Sequence, residues 1–373
     1  MVDLSEEVKG NDGVVDGLPI LTISAANGWM NQKDRFSQVI AGSELKKYTL
    51  LKKGELSYNH GNSKLAKFGA VFELDSYKEA LVPRVYHSFK MVNGNSPSFI
   101  EYLFATKRPD RELSKLITSG ARMDGLLNIN KKDFFGIKLK VPTPQEQTKI
   151  SKLLRGLDRT ITLHEEKQRQ LEQLKKALLQ KMFADKKEYP ELRFNGFSDS
   201  WNKNKVSELF TITRGYVLPA KDTKPTPEGD YCYPVYSSQT AQNGLMGYYN
   251  KYLYKDAITW TTDGANAGTV RFRTGKFYCT NVCGVLLTKK AKASEMIAMA
   301  LNKVTKKYVS YVGNPKLMNN VMGEIVISLP TNTEEQNNLS FLFNNLERAI
   351  ILTEHKIEQL KSLKQALLQQ MFI

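Results

Sequence analysis

Residues 147–183 read QTKISKLLRGLDRTITLHEEKQRQLEQLKKALLQKMF, and residues 336–372 read QNNLSFLFNNLERAIILTEHKIEQLKSLKQALLQQMF. The two stretches align without a gap at a constant offset of 189, and 19 of their 37 positions are identical. A match this long inside one chain means that one structural unit has been used twice. An alternating apolar run ending at proline precedes each copy: Ile137, Leu139, Val141, Pro142 in the first, Ile325, Ile327, Leu329, Pro330 in the second. That pattern predicts a half-buried strand leading into each helix. Fainter parallels run through the larger segments. Leu18-Pro19-Ile20 matches Tyr233-Pro234-Val235, Asn27-Gly28-Trp29-Met30 matches Asn243-Gly244-Leu245-Met246, and residues 53–58 match 255–260. The order is domain, helix, domain, helix. One departure is the lead-in Phe197 to Trp201, which has no counterpart ahead of Leu4. The first domain is therefore expected to lack an edge element, unless the start lies upstream.

In the first copy Ile150, Leu157, Leu171 and Leu178 share one heptad position, with Leu153 and Leu174 three residues on and Leu154, Ile161 and Met182 flanking. The second copy repeats this with Leu339, Leu346, Leu360 and Leu367, then Leu342 and Leu363. An apolar seam kept for about five heptads predicts a coiled coil; a helix packed only on its own domain is the alternative. At about 1.5 Å per residue each helix is roughly 55 Å long, more than one domain core needs. A whole domain separates the two in sequence, so they can pair antiparallel. Polar residues interrupt the seam at matching places, His164 and Lys167 in one helix, Thr353 and Lys356 in the other. These are expected to meet as a buried layer that fixes register.

The net charge of +16 is unevenly spread: +5 over residues 1–142, +4 over 143–184, +8 over 185–330 and −1 over 331–373. Most of the excess lies in the two domains, which points to a polyanionic partner. Three cysteines, Cys232, Cys279 and Cys283, form no disulfide framework, and no histidine stands near them in sequence to complete a metal site. No apolar run reaches membrane-span length, and the acidic start resembles no targeting segment, so a cytoplasmic protein is expected.

Catalytic chemistry on DNA has recognisable signatures, and none is present. Asn314-Pro315-Lys316 lacks the second proline and the aromatic of an amino-methylation motif. No helical pattern follows the glycines of residues 264–268, and Gly275-Lys276 runs into Phe277 rather than a hydroxyl residue. Pro109-Asp110-x-Glu112-x-x-Lys115 has the wrong spacing for a nuclease strand.

A Pro-x-x-x-Glu-Gln lead-in to a long helix ending Leu-Lys-x-Ala-Leu-Leu-Gln-x-Met-Phe, repeated after a domain, resembles the specificity subunits of type I restriction-modification systems. The motifs run from Pro142 to Phe183 and from Pro330 to Phe372, with one extra residue in the second lead-in. The resemblance implies a mixed α+β fold with a pseudo-twofold internal repeat. Its parts would be a first target recognition domain (1–142), a long helix (143–184), a second recognition domain (185–330) and a second long helix (331–373). The two helices would form an antiparallel coiled coil. It implies further that each domain reads one half of a bipartite double-stranded DNA site. Two modification subunits and the restriction subunits would be recruited, carrying S-adenosylmethionine, ATP and Mg2+, with no cofactor, metal or catalytic group on this chain.

Base edges and phosphates are read by Arg, Lys, Asn and small hydroxyl side chains. The first domain offers Asn59, His60, Asn62, Lys64 and Arg122; the second offers Thr261, Asn266, Arg271, Arg273 and Lys316. Two other readings stay open at this stage: a self-contained restriction-modification enzyme with diverged motifs, and a coiled-coil scaffold that binds no nucleic acid.

Overall fold

The computed structural model describes residues 1–13, 17–36, 42–61, 63–117, 126–184, 188–238 and 241–372. It divides into two compact units, one of residues 1–164 with 356–373, the other of residues 165–355. Each long helix, Pro144–Lys181 and Thr333–Met371, is thus shared between the units.

The first unit is built on a four-stranded antiparallel sheet in the order Ser5–Glu7, His87–Met91, Leu56–Asn59, Ala70–Glu73. Two further pairs join Leu21–Ser24 to Gly28–Asn31 and Thr49–Lys52 to Glu79–Val82. Helix Pro97–Ala105 starts at Ser96, whose hydroxyl accepts from the Phe99 amide, and buries Phe99, Ile100 and Leu103. These residues join Tyr58, Phe89, Phe134, Ile150 and Leu154 in one core, which Phe372 closes by stacking on Phe99. The second helix therefore runs back along the first. Asp158 pairs with Lys364 at 2.5 Å, while Met371 and Glu146 share one groove.

In the second unit six strands are ordered Phe210–Arg214, Cys283–Thr288, Tyr254–Thr261, Val270–Cys279, Tyr233–Tyr236, Leu245–Tyr249. All neighbours are antiparallel except Tyr233–Tyr236 with Val270–Cys279. Helix Glu295–Thr305, capped by Ser294, covers the sheet with Met296, Ile297 and Leu301. Met182 and Phe183, just past the first long helix, and Leu339, Phe343 and Leu346 of the second complete this core, and Lys175 pairs with Glu347. Lys175 and Lys364 occupy matching repeat positions, as do Asp158 and Glu347, so the same cross-helix ion pair is made once in each unit. The repeated glutamine does likewise. Gln147 donates to the Pro142 carbonyl at 2.9 Å and Gln336 to that of Pro330 at 2.8 Å, tying each helix to its lead-in.

Three expectations are corrected. Leu153, Leu174 and Leu363 lie outward at 43, 47 and 49% exposure, whereas Leu154, Ile161, Phe343 and Ile357 are buried. The seam thus steps by four and then three residues from Ile150 and Leu339, because each helix also completes the core of its unit. Lys167 and Lys356 are exposed and belong to no buried layer. His164 is half-buried with Nδ1 unpartnered among the described residues, while buried Thr353 donates to the Ala349 carbonyl of its own helix. Finally, residues 137–141 do not form a strand, although Val326–Leu329 does. The latter pairs with Asn202–Lys205; at the former, the Ile137 carbonyl accepts from the Met1 amino group at 2.7 Å.

One helix contact carries a pH dependence. The Arg155 guanidinium reaches Glu73 at 2.7 Å, Asp75 at 2.9 Å and Glu101 at 3.1 Å. Burial pushes the Glu101 carboxyl from 4.5 up to about 7, against the pull of Arg155 and of the Glu73 amide. A pKa raised by folding stabilises most below the unfolded value and is lost as pH rises through the folded one. Stability of the first unit is therefore expected to fall by about 2 kcal/mol between roughly pH 4.5 and 7. Urea titrations of wild type and Glu101→Gln across that range check this: the variant should show a flatter profile, and superimposable profiles would exclude Glu101 as the cause.

Candidate nucleic-acid interface

In the first unit the segment that follows strand Leu56–Asn59 turns inward. His60 is buried, with Nδ1 2.7 Å from the Leu127 carbonyl and Nε2 3.1 Å from that of Val85. Its ring stacks on His87 at 4.9 Å, and burial holds His87 down at about 4. His60 therefore braces two loops and cannot read a base, contrary to the sequence expectation. Asn59 is half-buried: its Oδ1 accepts from the Gly61 amide at 3.1 Å and its Nδ2 donates to the Ile23 carbonyl at 3.3 Å. Gly69, at φ +84°, packs so closely that a Cβ would lie 2.5 Å from the Asn59 carbonyl and 2.6 Å from the Tyr58 ring. What this braced turn presents to solvent is Ser63, Lys64 and Leu65, beside a groove of about 450 Å³. Asn62 and Arg122 lie outside the described residues.

The second unit gathers its loops at one end of the sheet through backbone hydrogen bonds. Tyr216 N–H donates to Cys279, Thr262 to Val282, Leu317 to Thr262 and Gly264 to Pro315, at 2.8–3.2 Å. Thr261, Asn266, Arg271 and Arg273 line one cavity of about 140 Å³, so four candidates scattered over thirteen residues converge in space. Arg273 is held rather than free. Its guanidinium lies 3.6 Å over the Tyr236 ring, donates to the Asn243 carbonyl at 2.8 Å and to Thr259 Oγ1 at 3.2 Å, and burial lowers its pKa. Arg271, half-buried, lines this cavity and a neighbouring one of about 350 Å³ between the sheet and the long helices of the same unit. Asn266 donates to the Ser238 carbonyl at 3.2 Å. Lys316 stands off the cavity, exposed, 3.6 Å from Asp263.

Two groups that sequence could suggest for other chemistry are engaged structurally. Cys279 and Cys283 are free and buried among Phe277, Ala257 and Val285, and burial pushes the Cys283 thiol up to about 11. Glu112 pairs with Lys115 on and just beyond the short helix Asp110–Ser114. Among the described residues no group of three His, Cys, Asp or Glu is placed to hold a metal, and no helix is long and apolar enough to cross a membrane.

The profile of the type I restriction modification DNA specificity domain matches residues 4–173 and again residues 198–362, nearly the whole chain and once per repeat. The chain belongs to that family. Mycoplasma pneumoniae proteins named as type I specificity subunits are similar to parts of it. One is 40% identical over 124 residues, 32% of this chain and 65% of the relative. Another is 36% identical over 166 residues, 43% of each. The specificity subunit of the type I restriction enzyme MpnII is 34% identical over 128 residues, 34% of this chain and 38% of its own length. The chain thus spans less than two-thirds of these relatives. The crystal structure of the type I S subunit from M. genitalium shares the fold, with a TM-score of 0.67 at 15% identity over 100% of this chain and 95% of that one.

Within this specificity-family fold, sequence reasoning missed Tyr236 and Asn243, the residues that seat Arg273. It also missed two exposed Tyr-Val pairs, Tyr216-Val217 and Tyr311-Val312, on the gathered loops. Asn243 carries a positive φ of 57°, which the Asn-Gly dipeptide with Gly244 signals in sequence. Exposed apolar tips have no such signal.

Proposed function

We propose that this chain supplies the DNA address of a type I restriction-modification complex, each unit reading one half of a bipartite duplex site. The observation that carries the reading is the convergence of Thr261, Asn266, Arg271 and Arg273 on one loop cluster of a unit whose recognition segment, residues 185–330, has a net charge of +8. Arg273, fixed on the Tyr236 ring, holds the loop cluster in place before any ligand arrives, so less freedom is lost when Arg271 beside it engages one. The chain itself performs no methyl transfer or cleavage; S-adenosylmethionine, ATP and Mg2+ act on partner subunits. The repeat supports two equivalent modification-subunit docking faces: outward-facing Leu163 and Leu352 occupy matching positions, at 62 and 60% exposure, and so do Leu174 and Leu363. The expected setting is the cytoplasm.

The test is duplex binding by the complex of this chain with its modification subunits, titrated with salt. Affinity should fall steeply as salt rises, because phosphate neutralisation releases counterions. Arg271→Ala is expected to weaken binding to the specific site by about 1–3 kcal/mol with little change on nonspecific duplex. Affinity that ignores salt, or methyl transfer by the chain alone, would sink the proposal.

A further inference from the structure

The tip of residues 311–314 stands out among the gathered loops because its composition is wrong for a solvent turn. Val312 is 92% exposed and Tyr311 68%, and Gly313 takes φ +76° to bring the chain round. The base of this loop is firmly set. Ser310 and Lys316 exchange two backbone hydrogen bonds at 2.8 and 2.9 Å, the Pro315 carbonyl accepts from Gly264, and Leu317 N–H donates to Thr262. Just before it, Val309 is buried against Gly268, whose Cβ would come within 2.9 Å of the valine side chain. Beneath it, Leu317 is fully buried and its carbonyl accepts from the Trp260 indole at 3.2 Å. A rigid stem therefore holds an apolar apex out in water.

Single exposed apolar residues are ordinary, but this one is not single. Tyr216 and Val217, at 64 and 73% exposure, follow Gly215, whose amide is fixed to the Cys283 carbonyl and whose Cβ position lies 2.0 Å from the Cys279 carbonyl oxygen. The turn of residues 279–283 ties the Tyr216 loop to Thr262, accepting from Tyr216 on one side and from Thr262 on the other, and the Thr262 carbonyl in turn accepts from Leu317 at the base of the 311–314 tip. Lysines outnumber acids near the 311–314 tip in sequence: Lys307 and Lys316 are exposed, Lys316 facing the Asp263 carboxylate at 3.6 Å, while Lys306 anchors the stem through the Ala267 carbonyl. A protein partner needs roughly 800 Å² on each side of a stable interface, far more than one pair of side chains offers. Small apolar wedges on a basic surface are what proteins insert between stacked base pairs.

We infer that Tyr311 and Val312 form such a wedge. The inference rests on the DNA-reading function proposed above and adds that the second unit unstacks one base step of its half-site. Valine suits the apex because its branched side chain has little rotamer freedom to lose. Tyrosine beside it can stack on the base face that insertion exposes. The duplex then kinks at that step, and the half-site gains a preference for a flexible pyrimidine–purine step that no side chain reads directly.

The test uses the complex with its modification subunits, without methyl donor, on the duplex that methylome sequencing identifies. The probe is 2-aminopurine, placed singly at each step except the methylated adenine, which a modification subunit flips on its own account. Wild type should raise the fluorescence at one step of one half-site. Tyr311→Ser with Val312→Ser should abolish that rise and weaken binding about tenfold, with a much smaller loss on a duplex mismatched at the same step. Both positions are exposed and the loop is held by its backbone, so the variant is expected to fold. Specific binding with no bright step in wild type, or a step equally bright in the variant, overturns the wedge and leaves the reading function intact. A variant that no longer assembles with modification subunits overturns it too, by making the tip a protein contact. If wild type itself shows no specific duplex binding, the reading function fails and the wedge falls with it.

Discussion

Exchanging residues 190–330 for the matching segment of another recognition domain is expected to rewrite one half of the methylated DNA sequence and leave the other half unchanged. Each unit closes its own hydrophobic core: residues around Trp260, Met296 and Phe343 in the second, around Tyr58, Phe99 and Phe134 in the first. The strands that carry Thr261, Arg271 and Arg273 all lie inside the exchanged segment. The cut points fall outside the sheet and ahead of the second long helix. The graft must still pack on that helix, so the donor has to supply counterparts of Trp201, Ile325 and Ile327, which share the core with Leu339 and Phe343. Affinity for the original half-site should drop toward the nonspecific level, a loss on the order of a thousandfold or more for the site as a whole. Methylome sequencing of a strain carrying the exchange reads the result directly. Change in both halves would show that the units do not read independently, and change in neither would place recognition outside the exchanged residues.

The parts of this fold that were legible in sequence are those where one periodicity had no rival. A 37-residue repeat with heptad leucines allows only long helices, and the structure has them at Pro144–Lys181 and Thr333–Met371. Which leucines face inward was not legible. Leu153 and Leu154 are neighbours of equal hydropathy, and the choice between them is made by the unit core, where Leu154 meets Phe99 and Phe134. Within the candidate site the arginines were legible by residue type, but their division of labour was not. Only the position of Tyr236 under Arg273 turns that arginine into a fixed brace and leaves Arg271 beside it as the candidate reader. His60 misled because a histidine between two asparagines and a glycine looks like an exposed polar turn. The partners that bury it, Val85 and Leu127, are 25 and 67 residues away.

The second unit also contains a position where one methyl group should unfold the site. Gly284 sits opposite Trp260 across neighbouring strands, and a Cβ there would lie 2.1 Å from the indole Cζ2 and 2.3 Å from two more ring atoms. The ring cannot retreat. It is 1% exposed, its Nε1 is committed to the Leu317 carbonyl at 3.2 Å, and Ile258, Val270 and Leu286 pack in the same core. Overpacking a well-filled core costs typically about 1–3 kcal/mol, and an overlap this deep against an immobile ring lies beyond that range. Gly284→Ala is therefore expected to destabilise the second unit by about 4 kcal/mol. Because Leu317 anchors the stem of the 311–314 loop, DNA binding should fail with it. Amide hydrogen exchange would show the loss of protection in strands Tyr254–Thr261 and Cys283–Thr288, while strands Leu56–Asn59 and His87–Met91 keep theirs. The first unit places His87 opposite Tyr58 at the corresponding step, so a smaller aromatic is the natural rescue. Adding Trp260→Phe to Gly284→Ala should recover part of the loss by clearing the indole's outer ring. Full stability of Gly284→Ala alone would mean that the strand pair can shift to admit the methyl. No rescue by Trp260→Phe would mean that the clash lies elsewhere than in the indole.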